Sequence, residues 1–197
     1  MMLWKRDIQA TLFWGCIAFL LSASVFYGVN AYRMRLGIIG SGGKINSGDI
    51  VLLEQVIDGD TVSVSLEGQP SAVVRILGIK SFEAGIEKDV VAAYGQAAID
   101  TLKRLMVNHP VRVLLHATPK DRYGRYIAML YIDDQDIGLR LIKEGLALVY
   151  TVYPFPAMSF YLQEQELARA GRRGLWANAE VTSRALALIR EWQGRLQ

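Results

Sequence analysis

Val56-Ile57-Asp58-Gly59-Asp60-Thr61 sets two carboxylates on either side of a glycine, between two runs rich in aliphatic and β-branched residues. Asp-Gly is a turn signal, and β-branched runs on both sides of it make the stretch read as a hairpin. Residues 50–57 form the first strand. In residues 61–66, Val62, Val64 and Leu66 alternate with Thr61, Ser63 and Ser65, the period of a half-buried strand. Glu67-Gly68-Gln69-Pro70 turns the chain again, and residues 72–79 supply a third strand, giving an antiparallel meander.

Downstream the pattern changes. Residues 81–93 mix acidic and basic side chains and read as a loop. From 94 to 108, Ala97, Ala98, Leu102, Leu105 and Met106 recur at helical spacing. Residues 111–116 and 126–132 read as two more strands, with a charged turn at 120–125. A short helix over 137–144 stops at Gly145, an extended apolar run covers 146–152, and a helix over 159–170 closes at Gly171. Five strands with a helix inserted after the third predict a mainly β fold with helices (α+β), a small closed barrel rather than a sandwich.

The chain's 197 residues hold one domain and an accessory segment. Its formal charge of +3 comes from Lys5, Arg6, Arg33 and Arg35 set against Asp7, and beyond residue 35 acids and bases balance. Diffuse attraction to nucleic acid is therefore excluded, and any grip on phosphate must come from a local cluster. The lone Cys16 rules out an intrachain disulfide. Residues 8–31 carry no charge, and a run of about 24 such residues is long enough to cross a bilayer. Basic residues flank the run, and Trp4, Trp14, Tyr27 and Tyr32 lie near its ends. It competes with a cleaved signal peptide ending at Val29-Asn30-Ala31, but its length exceeds the usual apolar core of roughly 7–15 residues. The expected organisation is a transmembrane signal anchor at 8–31, a glycine-rich linker at 32–49, the domain at 50–177 and an amphipathic helix at 178–197. The domain is placed outside the cytoplasm.

The charged residues of the domain suggest a chemistry. Asp60, Arg75, Glu83, Arg122 and Arg125 lie on three segments. Guanidinium forks match phosphate oxygens and gain strength as charge builds in a transition state, while a carboxylate can take a proton from an attacking water. The same charges also have a purely structural use, with Arg75 and Arg125 paired to carboxylates such as Asp58 and Asp121.

Ile57-Asp58-Gly59-Asp60-Thr61, Gly68-Gln69-Pro70, Arg75-Ile76-Leu77, Glu83, Tyr94-Gly95, the run Asp121-Arg122-Tyr123-Gly124-Arg125, Glu144-Gly145-Leu146-Ala147 and Gly174-Leu175-Trp176 occur in that order. In this order the set resembles the staphylococcal nuclease (thermonuclease) family over roughly residues 50–177. The resemblance implies a five-stranded oligonucleotide/oligosaccharide-binding barrel with about three packed helices. It implies calcium-assisted cleavage of DNA or RNA phosphodiesters, with Arg75, Glu83 and Arg125 catalytic, Asp60 a metal ligand, and Arg122, Tyr123 and Tyr153 binding substrate. One position breaks the pattern: Lys80 stands where the family carries a second metal carboxylate.

The reversal leaves three routes open. The site is rebuilt from Asp60, Glu83 and Glu87 or Asp89; the ammonium stands in for the ion; or catalysis is gone. Two functions follow: a membrane-anchored nuclease with an altered metal site, or a degenerate nuclease-like module serving a membrane complex. His109 and His116 share no metal spacing. Arg169, Arg172 and Arg173 suit a helix C-terminus. In the tail, Ala185, Leu186, Ile189, Trp192 and Leu196 share a helical face that caps the barrel, lies on the bilayer or meets a membrane-protein partner.

Overall fold

The computed structural model describes residues 13–27, 42–87 and 89–194. The chain divides into two units, Met1–Gly40 and Ser41–Gln197. In the first, residues 13–27 form a helix, α1, on which Phe13, Trp14, Phe19, Leu20, Leu21, Val25, Phe26 and Tyr27 are exposed. Among the described residues no helix is long and apolar enough to cross a membrane. The expected span at 8–31 is thus not found, and its ends, 8–12 and 28–31, lie outside the described residues, as does most of the linker.

The second unit is a mixed α+β fold. Strands β1 (Ile50–Asp58), β2 (Thr61–Ser65) and β3 (Ala72–Ile76) form the meander. Strand β5 (Val111–Lys120) pairs with both β1 and β6 (Tyr126–Ile132). Strand β3 also runs parallel to β6, from Val74↔Tyr126 to Ile76↔Ala128, so the pairings return to their start through β3, β2, β1, β5 and β6. A short β7 (Gln135–Asp136) turns back and pairs antiparallel with the end of β6. The register of β1 slips between Leu53 and Gln55. A slip of one residue changes which face points inward, so Val51 and Val56, of opposite parity, are both buried.

The third strand is shorter than the sequence predicts. It ends at Ile76, and Gly78 adopts φ +78°, a conformation open to glycine at little cost. The chain turns there, and β4 (Ile79–Lys80) pairs instead with β8 (Leu148–Val149) in a separate two-stranded sheet. This departure carries Lys80 off the ring.

Four helices complete the unit: α2 (Val90–Met106), α3 (Ile137–Lys143), α4 (Met158–Ala170) and α5 (Ala179–Gly194), with a 3-10 turn at Gly174–Ala177. Helix α2 starts four residues before its predicted position because the Asp89 carboxylate accepts the Val91 N–H at 2.9 Å. The main core lies inside the ring and beneath α2, α3 and α4, and includes Val62, Val74, Ile76, Leu102, Leu130, Leu141 and Tyr161. A second, smaller core gathers Phe82, Val91, Leu148, Ala168, Leu175 and Trp176 with Val181, Ala185 and Trp192 of α5. The apolar face of the tail helix is therefore covered by its own domain, which corrects the bilayer and partner readings of that face; Leu196 lies outside the described residues.

Candidate active site

Asp60 follows the β1–β2 turn and is a buried anion, its side chain 2% exposed. Gly59 permits this burial. A Cβ there would meet the Ala98 Cβ and the Ser81 Oγ, both at 2.7 Å, inside van der Waals contact. Both oxygens of the Asp60 carboxylate are engaged. Arg75 Nη1 lies 2.5 Å from Oδ1, and the Thr61 hydroxyl donates to the same oxygen at 3.0 Å. The Ser81 N–H donates to Oδ2 at 3.0 Å, and Lys80 Nζ stands 3.7 Å from it. Burial pushes the Asp60 carboxyl up, but Arg75 and then Lys80 outweigh it and hold the group below the usual carboxylate range.

Arg75 is also held in place by the backbone. It donates to the Asp60 carbonyl at 3.2 Å and, through Nη2, to the Ile79 carbonyl at 2.8 Å. Its partner is thus Asp60, not Asp58. The Asp58 carboxylate accepts the Asp60 N–H at 2.9 Å. Burial, followed by the adjacent Asp60 charge, pushes Asp58 up to about 6. The sequence suggests for Asp58 only the pairing of an arginine, and its Asp-x-Asp spacing is the one signal of the coupling to Asp60.

Lys80 turns mainly to Glu83, not Asp60. Its ammonium lies 2.7 Å from Glu83 Oε1, three residues on, and bridges the buried and the exposed carboxylate. The side chains of Lys80 and Glu83 are 32% and 39% exposed, so this end of the cluster faces solvent.

A second cluster occupies the turn before β6. The Asp121 carboxylate accepts the backbone N–H groups of Tyr123 and Arg125 and holds Arg125 Nε at 2.7 Å. Arg122 and Arg125 approach the Tyr123 ring, 4.7 and 5.6 Å from its centroid, and Arg122 donates to the Tyr123 hydroxyl at 2.5 Å. Parallel pairing sets Tyr126 beside Val74, so this turn precedes that point along β3, while Asp60 lies beside Ile76, whose N–H donates to the Asp60 carbonyl at 2.9 Å. Among the described residues no ion pair joins the two clusters. Tyr153, 65% exposed, packs against Tyr150 with ring centroids 6.1 Å apart.

Glu87 and Asp89 do not join Asp60. Both are taken up by Arg184 of α5, at 2.6 and 3.1 Å. Among the described residues no three Asp, Glu, His or Cys side chains are grouped to hold a metal ion. His109 is exposed and His116 half-buried, and both contact nearby backbone.

A ring of short strands with a guanidinium-locked aspartate after the β1–β2 turn and arginines on the turn before β6 defines a nuclease-like domain. The chain belongs to the staphylococcal nuclease homologue family, whose sequence model matches residues 73–178. It is 37% identical over 100 residues to a thermonuclease of Staphylococcus intermedius, covering 51% of this chain and 59% of that one. It is 36% identical over 124 residues to an uncharacterized endonuclease of Haemophilus influenzae (63% and 64%). It is 32% identical over 139 residues to the endonuclease YncB of Bacillus subtilis (68% and 65%). The chain spans less than two thirds of the length of each of these three relatives.

Proposed function

We propose that this protein hydrolyses phosphodiester bonds of single-stranded DNA or RNA in a site where the Lys80 ammonium takes the place of a divalent ion. The carrying observation is the position of that ammonium, 2.7 Å from Glu83 and 3.7 Å from Asp60. Calcium takes six to eight oxygens. Asp60 has both oxygens engaged by a guanidinium and N–H or O–H donors, and the adjoining position holds a positive charge. This donor set does not fit the calcium that the family resemblance implies.

In this reading the strand ring is the family's barrel, and a bound strand lies across the 121–125 turn. Arg122 and Arg125 grip phosphate oxygens, and Tyr123 and Tyr153 contact the nucleotides, stacking being worth roughly 1–3 kcal/mol per base. Arg75 adds positive charge behind the reacting phosphate, and Glu83 takes the proton of the attacking water. Lys80 orients Glu83 and offsets the charge that builds on the phosphoryl oxygens. Residues 8–31 anchor the chain in a bilayer, with the domain outside the cytoplasm. The run of exposed apolar side chains on α1 supports this anchor.

Cleavage of a labelled single-stranded oligonucleotide by the full-length protein tests the reading. Slow cleavage indifferent to calcium and abolished by Glu83→Gln is expected, with Lys80→Asp making the protein calcium-responsive. A second reading, a binding module without turnover, is favoured by the way Asp60 and Arg75 satisfy each other. Its signature is an inert wild type that gains activity only on Lys80→Asp, and that outcome would displace the first reading.

A further inference from the structure

Helix α5 begins at Ala179, just past the end of the family match at residue 178. It starts cleanly, because the Asn178 carboxamide accepts the N–H groups of Glu180 and Val181 at 3.0 and 3.1 Å. From there it touches the segment carrying Glu83 in two ways.

The first is apolar. Phe82, immediately before Glu83, is buried in the small core that α5 helps build with Val181, Ala185 and Trp192. The second is ionic. Arg184 donates to Glu87 at 2.6 Å and to Asp89 at 3.1 Å. Glu87 leads straight back to Glu83, since the Ile86 and Glu87 N–H groups both donate to the Glu83 carbonyl at 3.0 Å. Asp89 caps α2, whose Gly95 lies so close to the same segment that a Cβ there would stand 2.8 Å from the Ala84 nitrogen.

We infer that α5 is a strap that sets the position of Glu83, and with it Lys80, and that Arg184 is its positioning residue. A segment of this kind, with few regular backbone hydrogen bonds, opens locally at low cost unless its side chains are tied down. Arg184 ties it by two charge-assisted bonds to one guanidinium. Phe82 fixes one end and Arg184 the other, and the turn bearing Glu83 lies between them. The functional part of this inference rests on reading Glu83 as a site residue; the mechanical part does not.

Amide hydrogen exchange of the full-length protein tests it, read at Ile86 and Glu87 and compared with the amides of the strand ring. Arg184→Ala should speed exchange at these two positions about fivefold, the scale of losing a partly exposed, doubly bonded ion pair. Arg184→Glu should speed it further, and Arg184→Glu combined with Glu87→Arg should recover most of the protection. Arg184→Lys, which keeps the charge but loses the fork, should fall between wild type and Arg184→Ala. Unchanged exchange at Ile86 and Glu87 in Arg184→Ala and Arg184→Glu would overturn the strap. So would a uniform rise across the strand ring, which would make Arg184 a contributor to global stability alone.

Oligonucleotide cleavage supplies the second readout. Arg184→Ala should lower kcat about tenfold with KM nearly unchanged, since a displaced Glu83 affects the water and not the bound strand. A kcat equal to that of wild type, or a KM that rises as much as kcat falls, would show that Arg184 does not act through Glu83 and would overturn the positioning role. A wild type that cleaves nothing would defeat the proposed function, and exchange would still decide the strap.

Discussion

Asp60 holds a negative charge at 2% exposure, and only its neighbours make that tolerable. Removing one partner of a buried ion pair leaves the other charge uncompensated, at a cost of about 3–5 kcal/mol. Arg75→Ala is therefore expected to lower the urea-unfolding free energy by roughly that amount, and Asp60→Asn with Arg75→Ala together by much less than the sum of the two. Near-additive losses would mean that the pair does not act as a unit. Asp58 works in the opposite sense. Its folded pKa, raised to about 6 from the ordinary 3.8, means the folded state holds the proton more tightly than the unfolded chain. This contribution is fully present below about pH 4, declines as pH rises to about 6, and is gone above that. Asp58→Asn keeps an acceptor for the Asp60 N–H without the charge. It should stabilise the fold at pH 7.5 relative to wild type and lose that advantage near pH 4, as thermal melts at the two values would show. A pH-independent difference would sink the assignment.

At the scale of elements, one residue often serves two. Asp136 ends β7 and caps α3, accepting the Leu139 N–H at 3.1 Å, and its carboxylate also receives the buried Tyr161 hydroxyl of α4 at 2.8 and 2.9 Å. Burial pushes the Tyr161 hydroxyl far up its scale, so it stays a donor at any working pH. Asp136→Ala removes a cap and orphans that hydroxyl together, and a loss of roughly 2–3 kcal/mol is expected in chemical denaturation. A loss under about 0.5 kcal/mol, the range of ordinary surface substitutions, would show that the joint is dispensable. Strand alternation and helical spacing made most elements readable, since both periods are written along the chain. The break between β3 and β4 was not, because it depends on Gly78 taking a positive φ and on β8, some seventy residues later, offering a free edge.

For the whole molecule, the anchor proposal has a direct consequence. Full-length protein should float with neutral phosphatidylcholine vesicles in a density gradient and stay bound in high salt, because apolar insertion, unlike surface charge, is not screened. Release by salt, or failure to float at all, would remove the bilayer from the account.

The anomaly at Lys80 came from the family resemblance, whereas local pattern alone determined the main strands and helices and the two clusters of charge at residues 58–83 and 121–125. Elements and clusters are a matter of residue type and spacing, which need no partner to be recognised. Only the tertiary structure decided who faces whom. It gave Arg75 to Asp60, Lys80 first to Glu83, Glu87 and Asp89 to Arg184, and the apolar face of α5 to its own domain. Ion pairs and core contacts join residues far apart in the chain, and which of several available partners wins is set by backbone geometry and burial.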